Sequence, residues 1–295
     1  MKSNLLALTA AAVLGSGIVL TGCGGSSSSN NSGSDEPQLS EVNATEANAT
    51  AANGESAIEL IIEGPGGEAI LDAVVALLDN PGFTGQLPTT LMCDNNGTAY
   101  LDGTIAVTGA DMTATFDGCA LDGQTFDGEV AMTMTGDMLL GIPTYAEVTF
   151  PTAFSITDAN GSTYEIAAGS NLAMDFTAFS ATGFAGTQSG SMQWSVDGMQ
   201  GRYDDLTIVF DMNDTGGTQC YTGGTLYIND LNETLAIDPT YDVDCFVFDA
   251  NGTLTDGSMR LVGADGGMVD VNVTADNNLS ITGTDGILSL LLDLL

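Results

Sequence analysis

The side chains in this chain that could do chemistry are mostly carboxylates. Of 295 residues, 39 are Asp or Glu, 3 are Lys or Arg and none is His, which gives a formal net charge of −36. Without His, the chain has neither a Ser-His-Asp triad nor an imidazole metal ligand. With so few cations it cannot neutralise a phosphate backbone, so nucleic acid is excluded as a partner.

Pairs of carboxylates are the remaining catalytic option, because two such groups can hydrolyse a glycosidic bond. With 39 acidic residues, however, close pairs arise by chance, and the aromatic residues that sugar sites favour make up only 6% of the chain. We therefore expect no enzymatic activity and assign no catalytic residue.

Two acidic clusters contain ligand types that suit Ca²⁺, which binds carboxylate, amide and backbone oxygens. Their members are Asp211, Asn213 and Asp214 in the first cluster and Asp238, Asp242 and Asp244 in the second. The first partly matches the start of an EF-hand loop, but its fifth position is Thr215 and the closing Glu is missing. Calcium is the one cofactor that the sequence predicts, and the alternative is that both clusters are solvated turns.

The N-terminus has the features of an export signal. Lys2 provides a positive start, and residues 5–20 form a 16-residue apolar run, which is short for a membrane span and typical of a signal peptide. The run ends in Leu20-Thr21-Gly22-Cys23, in the order aliphatic, small, small, Cys. These residues resemble the lipobox of bacterial lipoproteins, and the resemblance covers the first 23 residues.

The lipobox resemblance implies cleavage before Cys23, a diacylglycerol on the cysteine sulfur and an acyl chain such as palmitate on its amine. Several acyl chains together anchor a protein firmly to a membrane. Gly24 follows the cysteine, and in the lipobox pattern a residue other than Asp at this place implies sorting to the outer membrane. We therefore expect a protein of the bacterial cell envelope whose lipid anchor makes the membrane its partner.

Removal of a signal peptide spanning residues 1–22 leaves Arg202 and Arg260 as the basic residues of the mature chain and a net charge of −37. Such a charge repels anionic surfaces and is screened by salt or divalent cations. It indicates either adaptation to a saline exterior, as in halophilic proteins, or selection for solubility.

Two further segments follow from composition. Residues 23–56 consist mainly of Ser, Asn, Gly, Glu and Ala, so they are predicted to form a flexible tether. Within it, Asn43-Ala44-Thr45 and Asn48-Ala49-Thr50 match the acceptor pattern for N-glycosylation, which an Asn- and Thr-rich segment also produces by composition. Residues 57–295 are predicted to form a single folded domain.

Alternation of apolar and polar residues dominates the domain and predicts antiparallel strands with one buried and one solvated face. The alternating apolar positions include Val130, Met132 and Met134, then Leu172, Met174 and Phe176, then Met192, Trp194 and Val196, and finally Leu206, Ile208 and Phe210. We predict an all-β fold of about twelve antiparallel strands, arranged as repeated hairpins that form a curled or closed sheet.

An internal repeat supports the hairpin arrangement. A small residue followed by Gly recurs with a mean interval of 32 residues between the glycines, which are Gly97, Gly128, Gly161, Gly190, Gly224 and Gly257. Such pairs favour tight turns because both residues tolerate positive φ. The pattern therefore predicts six units of two strands each.

Four cysteines besides Cys23 indicate disulfides, since an even number is typical of exported proteins. Of the three possible pairings, we predict Cys93–Cys119 and Cys220–Cys245, whose separations of 26 and 25 residues are nearly equal. Gly, Thr and Tyr also recur at the same offsets after Cys93 and Cys220. A zinc site is the alternative, and the lack of a CxxC spacing argues against it.

Two segments depart from alternation. Residues 68–79 carry apolar side chains at helical spacing and end before Asn80-Pro81-Gly82, which predicts an N-terminal helix. At the other end, Thr284 and Asp285 are placed to cap a short C-terminal helix over 286–295. This apolar tail is expected to pack on the sheet or, alternatively, to dock on a partner or a membrane.

Two functions remain from these features. The first is a membrane-anchored envelope lipoprotein that acts as a non-enzymatic structural or interaction module with an envelope partner and is stabilised by Ca²⁺. The alternative is a carrier that binds a hydrophobic ligand inside the curled sheet. Its inner face would include Met132, Met134, Met174 and Met192, whose flexible side chains adapt to varied guests.

Overall fold

A computed structural model gives the fold. It describes residues 44–63, 77, 86–93, 96–121, 123–137, 142–180, 182–196, 199–229, 231–240, 245–264 and 266–290. The predicted lipobox with Cys23 therefore lies outside the described residues, as do Asp242, Asp244 and residues 68–79 except Leu77.

The domain is all-β, as predicted, with one helix among the described elements. The helix α1 spans Ala51–Glu63. The strands are β1 Thr45–Glu46, β2 Thr89–Met92, β3 Thr98–Ala106, β4 Gly109–Leu121, β5 Gln124–Asp137, β6 Ile142–Thr149, β7 Phe154–Thr157, β8 Thr163–Ile166, β9 Asn171–Ser180, β10 Gly183–Val196, β11 Met199–Asn213, β12 Gly216–Ile228, β13 Glu233–Ile237, β14 Phe246–Asp249, β15 Leu254–Asp256, β16 Ser258–Val262, β17 Met268–Val273, β18 Leu279–Gly283 and β19 Gly286–Leu290.

The predicted number of about twelve strands is wrong, because the described residues form nineteen. The alternating pattern identifies the long strands correctly. In β5, Val130, Met132 and Met134 are buried, whereas the intervening Ala131 and Thr133 are half-buried. The additional strands are short, such as β7, β8, β14 and β15, and a run of three or four residues is too short to show a reliable period.

The strands form a largely antiparallel sheet that follows chain order with two detours. Consecutive strands from β2 through β6 are paired as hairpins. β6 then pairs with β9, and consecutive strands from β9 through β13 are again neighbours. From β13 the sheet continues through β16 to β19. Among the described pairings, β1 with β13 is the parallel one.

The two detours arise because a long strand changes its partner along its length. The first part of β5 pairs with β7 through Thr125 and Thr157, and its second part pairs with β6 through Met132 and Val148. The strand β12 does the same, pairing first with β14 and then with β13. We call β5 with β6 and β7 the first exchange unit, and β12 with β13 and β14 the second exchange unit.

Three of the repeated glycines lie inside long strands at points where the partner changes, so the predicted repeat of six hairpin units is wrong. Gly128, Gly190 and Gly224 are residues of β5, β10 and β12. A Cβ atom on Gly128 would lie 2.3 Å from the carbonyl oxygen of Ala153, and the φ of Gly128 is +108°. Glycine is needed there because another backbone approaches closely and the dihedral disfavours a side chain.

Buried apolar side chains form one large core that joins the sheet to α1. Within it, Phe116, Phe126, Phe150 and Phe154 contact one another with ring centroids 5.7 to 6.3 Å apart. A smaller cluster near the ends of β9, β10 and β11 is built around Met174, Phe176 and Phe210. The inner face of the sheet is therefore packed with side chains.

The helix α1 starts where two side chains satisfy its first amide groups. The amide of Asn53 donates to Oγ1 of Thr50 at 3.2 Å, and the amide of Ala51 donates to the Asp285 carboxylate at 2.6 Å. Both interactions satisfy free N–H groups, and the negative charge suits a helix N-terminus. Gly54 faces Val269 and Ile281, which lets the helix lie close against the sheet.

The predicted N-terminal boundary of the domain needs correction. The sequence predicts a tether up to residue 56, but residues 44–56 pack on the domain through β1 and α1. Their small buried residues, among them Ala47, Ala49 and Ala57, allow this close contact.

The predicted C-terminal helix is also wrong over residues 286–290, which form β19. The short Thr284–Asp285 turn and a φ of +142° at Gly286 fold this segment back against β18. Residues 291–295 lie outside the described part.

Candidate functional site

The predicted disulfide pairing is confirmed. Cys93 follows β2 and is bonded to Cys119 in β4, with Cα atoms 5.4 Å apart. Cys220 in β12 is bonded to Cys245, directly before β14, with Cα atoms 4.4 Å apart. The second bond closes the exchange point of β12, so the cysteines act as structural crosslinks in the fold.

The first predicted calcium cluster lies at the turn between β11 and β12. Asp211 and Asn213 are exposed residues at the end of β11, and Asp214 is in the turn. The Oδ1 atom of Asn213 accepts a hydrogen bond from the amide of Thr215 at 2.9 Å. This oxygen is therefore already used to shape the turn.

Asp238, from the second predicted cluster, lies in a different turn after β13. Its Oδ1 atom accepts hydrogen bonds from the amide and the hydroxyl of Thr240 at 2.9 and 2.8 Å. Within the described residues, no three His, Cys, Asp or Glu side chains come together as a metal site would require. Calcium binding stays a prediction, and thermal melts in Ca²⁺ and Mg²⁺ at matched ionic strength would test it.

Arg202 is a buried cation that the sequence did not indicate as buried. Its guanidinium forms two hydrogen bonds with the Asp204 carboxylate, at 3.0 and 2.9 Å, and lies 4.7 Å from the ring centroid of Tyr227. The hydroxyl of Tyr227 donates to the same carboxylate at 2.7 Å. Burial, followed by this hydrogen bond, raises the pKa of Tyr227.

The other arginine of the chain is paired as well. Arg260 in β16 contacts Asp270 in β17 through Nε at 2.6 Å and Nη2 at 3.1 Å. Both arginines therefore bind carboxylates across or along the sheet. The arrangement suits structural ion pairs, because a bidentate Arg–carboxylate contact fixes the orientation of both groups.

Two turns with nearly the same sequence have the same geometry. In Asp158-Ala159-Asn160-Gly161-Ser162, the carboxylate accepts from the amides of Asn160 and Ser162 at 2.8 and 2.9 Å. In the turn from Asp249 to Thr253, the corresponding distances are also 2.8 and 2.9 Å. The repeated Asp-Ala-Asn-Gly is the sequence signal from which this shared geometry could have been predicted.

Hydrogen bonds within these turns lower the pKa of both carboxyls. For Asp158 the largest cause is the amide of Ser162, and for Asp249 it is the amide of Thr253. A carboxyl general acid needs the opposite shift, because it must hold its proton near neutral pH. These two acids are therefore suited to shaping turns.

The methionines proposed for a hydrophobic carrier are buried. Met132 and Met192 belong to the large core, Met174 belongs to the smaller cluster, and Met134 is buried as well. Packing against neighbouring side chains accounts for their position. Ligand binding inside the sheet stays a prediction, which mass spectrometry of the native protein without detergent would test.

The register defines two ends of the sheet. At the first end, β1 pairs with the start of β13 through Thr45 and Glu233, so we call it the proximal end. At the other, distal end lie the turns that join β3 to β4, β9 to β10 and β11 to β12. The N-terminal segment and these turns are therefore separated by the length of the long strands.

Exposed apolar side chains occur at the distal end. Val107 in the turn after β3 is 54% exposed, and Ile105 and Ile142 are 43% and 40% exposed. The amide of Gly136 donates to the carbonyl of Thr108, which places the β3–β4 turn beside the end of β5. Exposed apolar side chains also occur away from the distal end, as at Met199 (63% exposed) at the start of β11 and Ile287 (73% exposed) in β19.

The described part of the chain contains no helix with the length and apolar character needed to cross a membrane. Comparison with known proteins found no match to a family model, a curated protein or a solved structure.

Proposed function

We propose that this chain is a lipid-anchored envelope protein whose β domain is a non-enzymatic module that extends away from the membrane. The lipid on Cys23 would hold the chain at the outer membrane, and the segment before residue 44 would act as the tether. The domain would then present its distal turns to other components of the envelope. The observation that carries the proposal is the placement of Thr45–Glu46 at one end of the long strands.

The dimensions support this arrangement. A strand rises by about 3.3 Å per residue, so the 15 residues of β11 span about 50 Å. As a flexible tether, the segment from Cys23 to residue 44 would have an average end-to-end distance of about 25 Å. The distal turns are therefore about twice as far from residue 44 as the average end-to-end distance of such a tether. The mature charge of −37 adds repulsion from an anionic membrane surface.

The charged groups support a structural use of the chain's polar residues. Arg202 and Arg260 bind aspartates, and the carboxylates of Asp158 and Asp249 hold turns. These contacts give each group a role in the fold. We therefore infer that the domain works through its surface and its shape.

Energy transfer from a protein dye to a membrane dye tests the proposed orientation. Thr108→Cys places a thiol at the distal end and Gln200→Cys places one near the proximal end, and both residues are exposed. The lipidated variants are reconstituted in vesicles with an acceptor on the lipid headgroup. We expect stronger transfer from position 200 than from position 108.

Matched proteins with Cys23→Ser provide the control, because they lack the anchor and should show no transfer. Equal transfer from positions 108 and 200 in the anchored protein would contradict the extended orientation. Anchored and unanchored proteins that behave alike would contradict the lipid anchor itself.

A further inference from the structure

A five-residue pattern recurs along the whole mature chain. Ten segments have the form Asn-X-Ser or Asn-X-Thr, and in nine of them an acidic residue stands two positions before the Asn. The nine acid–asparagine pairs are Glu41–Asn43, Glu46–Asn48, Asp94–Asn96, Asp158–Asn160, Asp211–Asn213, Asp230–Asn232, Asp249–Asn251, Asp270–Asn272 and Asp276–Asn278. The tenth segment, Asn30-Asn31-Ser32, has Ser28 at that position.

Composition does not account for the acidic position. The chain has 39 acidic residues among 295, so about one segment in eight would carry an acid there by chance. Nine of ten do. An Asn- and Thr-rich composition explains why Asn43 and Asn48 match the acceptor pattern. It does not explain the folded domain, where the acidic residue occurs at the same spacing.

The fold places these asparagines at the surface, mostly in turns. Six of the eight that the structure describes are exposed, and they are Asn48, Asn96, Asn160, Asn213, Asn232 and Asn251. Asn272 and Asn278 are half-buried, beside the turn between β17 and β18. Exposure in turns is the placement that a modifying enzyme needs in a folded chain.

A common structural role does not explain the acidic residue. Asp158 and Asp249 hold turns through their carboxylates, but Asp270 pairs with Arg260 on the next strand. Glu46 and Asp211 are exposed strand residues at opposite ends of the sheet. The spacing between the acid and the Asn is constant while the local contacts of the acid differ. This favours recognition of both groups by another molecule over a role within the domain.

We propose that these asparagines are N-glycosylation sites, read by an envelope-side oligosaccharyltransferase that also requires the preceding carboxylate. The pattern Asn-X-Ser/Thr is the acceptor of N-linked glycans on exported proteins. A carboxylate at a fixed distance suits recognition by a basic side chain of the enzyme through a charge-assisted hydrogen bond. The proposal rests on the proposed export of the chain.

The transfer step needs a glycan donor, which is an oligosaccharide carried on a lipid diphosphate. The Nδ2 atom of Asn attacks the first sugar carbon, a C–N bond forms, and the bond from that carbon to the diphosphate oxygen breaks. Nδ2 loses one proton, and the lipid diphosphate leaves with the bonding electron pair and takes up a proton. No oxidation or reduction takes place.

Peptide mapping by mass spectrometry tests the sites on the full-length protein, purified from the membranes of the organism that makes it. We expect glycan on Asn48, Asn160, Asn213 and Asn251, which are four of the six exposed sites. The N-terminal peptide of the same sample shows whether Cys23 carries lipid. A lipidated protein without glycan at these four sites would overturn this inference and leave the envelope anchor intact.

Variants produced in the same organism test the acidic requirement. Glu46→Gln and Asp211→Asn remove the carboxylate before Asn48 and Asn213, and we expect occupancy at each site to fall at least tenfold while the other sites keep theirs. Ser28→Glu gives Asn30 the missing acid, and we expect a new glycan there. Unchanged occupancy in both loss variants would overturn the role of the carboxylate.

Discussion

In both exchange units a long strand changes its partner strand, but different interactions hold the segment that departs. In the first unit, the amide of Glu129 in β5 donates to Oγ1 of Thr152, just before β7, at 3.1 Å. In the second unit, Cys245 directly before β14 is bonded to Cys220 of β12. In addition to the backbone pairing of the departing strand, the first unit therefore has a side-chain hydrogen bond where the second unit has a disulfide.

The first exchange unit, which has no disulfide at its exchange point, has more aromatic packing than the second. Phe154 of the first unit contacts the rings of Phe116, Phe126 and Phe150. Phe246 of the second unit contacts the ring of Tyr221 at 5.9 Å. The comparison indicates that a strand can leave one neighbour for another if either a large core or a crosslink holds the departing segment.

The largest expected effect is the loss of the aromatic core in the first unit. Phe154→Ala should lower the free energy of unfolding by about 4 kcal/mol, because a buried Phe is replaced by a cavity. Phe246→Ala is the matched variant and should cost about 2 kcal/mol less, since aromatic pairs contribute about 1 kcal/mol each and Phe154 forms more of them. Denaturant unfolding of both variants measures the difference.

Equal losses in the two phenylalanine variants would contradict the comparison, because they would mean that both exchange points depend on packing to the same degree. The test is best made with the disulfides intact, so that the second unit keeps its crosslink during unfolding.

The second effect concerns the crosslink. The double variant Cys220→Ser with Cys245→Ser should lose about 3 kcal/mol, because the unfolded chain is no longer restricted by a loop of 25 residues. Thr152→Ala in the first unit removes one hydrogen bond and should lose about 1 kcal/mol. Calorimetry or denaturant unfolding measures the loss of stability in both variants. A larger loss for Thr152→Ala would mean that the hydrogen bond stabilises its exchange unit more than the disulfide stabilises the other.

The third expected effect concerns Gly128, where another backbone lies close to β5 in the first exchange unit. Gly128→Ala places a Cβ atom against the carbonyl oxygen of Ala153, whereas a Cβ atom on Gly161 would meet no atom within 4 Å. Both glycines have positive φ, so Gly161→Ala should cost about 1 to 2 kcal/mol from the dihedral alone. Gly128→Ala should exceed it by about 1 to 2 kcal/mol through the added overlap, and equal costs would show that the exchange point can relax.

Much of the fold could be predicted from the sequence, but the strand exchanges could not. Alternation shows which side chains of β5 face the core, yet it does not say which strand lies beside each half of β5. Asp127-Gly128 and Gly223-Gly224 have the composition of tight turns, and the structure uses the same conformational freedom inside strands. The disulfide pairing was predictable because nearly equal separations are a property of the sequence.

The polar groups were harder to predict because burial depends on neighbours that are distant in sequence. Arg202 is buried beside Asp204 of its own strand, Tyr227 of β12 and Gln193 of β10. In contrast, the two Asp-Ala-Asn-Gly turns depend on contacts within five residues. Their shared geometry could have been derived from the sequence, since an Asp side chain commonly accepts hydrogen bonds from amides that follow it.

The smallest expected effect concerns the Asp-Ala-Asn-Gly turns, which the two exchange units share. Hydrogen bonds from following amides lower the pKa of Asp158 and Asp249 below the ordinary value of 3.8. Their charged forms therefore stabilise the fold above pH 3.8, and this contribution is lost as the pH falls through the lower folded value. The double variant Asp158→Asn with Asp249→Asn should be less stable than the wild type at pH 7, and the gap should close toward pH 3. Asp214→Asn with Asp276→Asn removes the same charge from other exposed turns and corrects for the change in net charge. If thermal melts show the same gap at both pH values, the turns are held by the shape of the side chain and not by its charge.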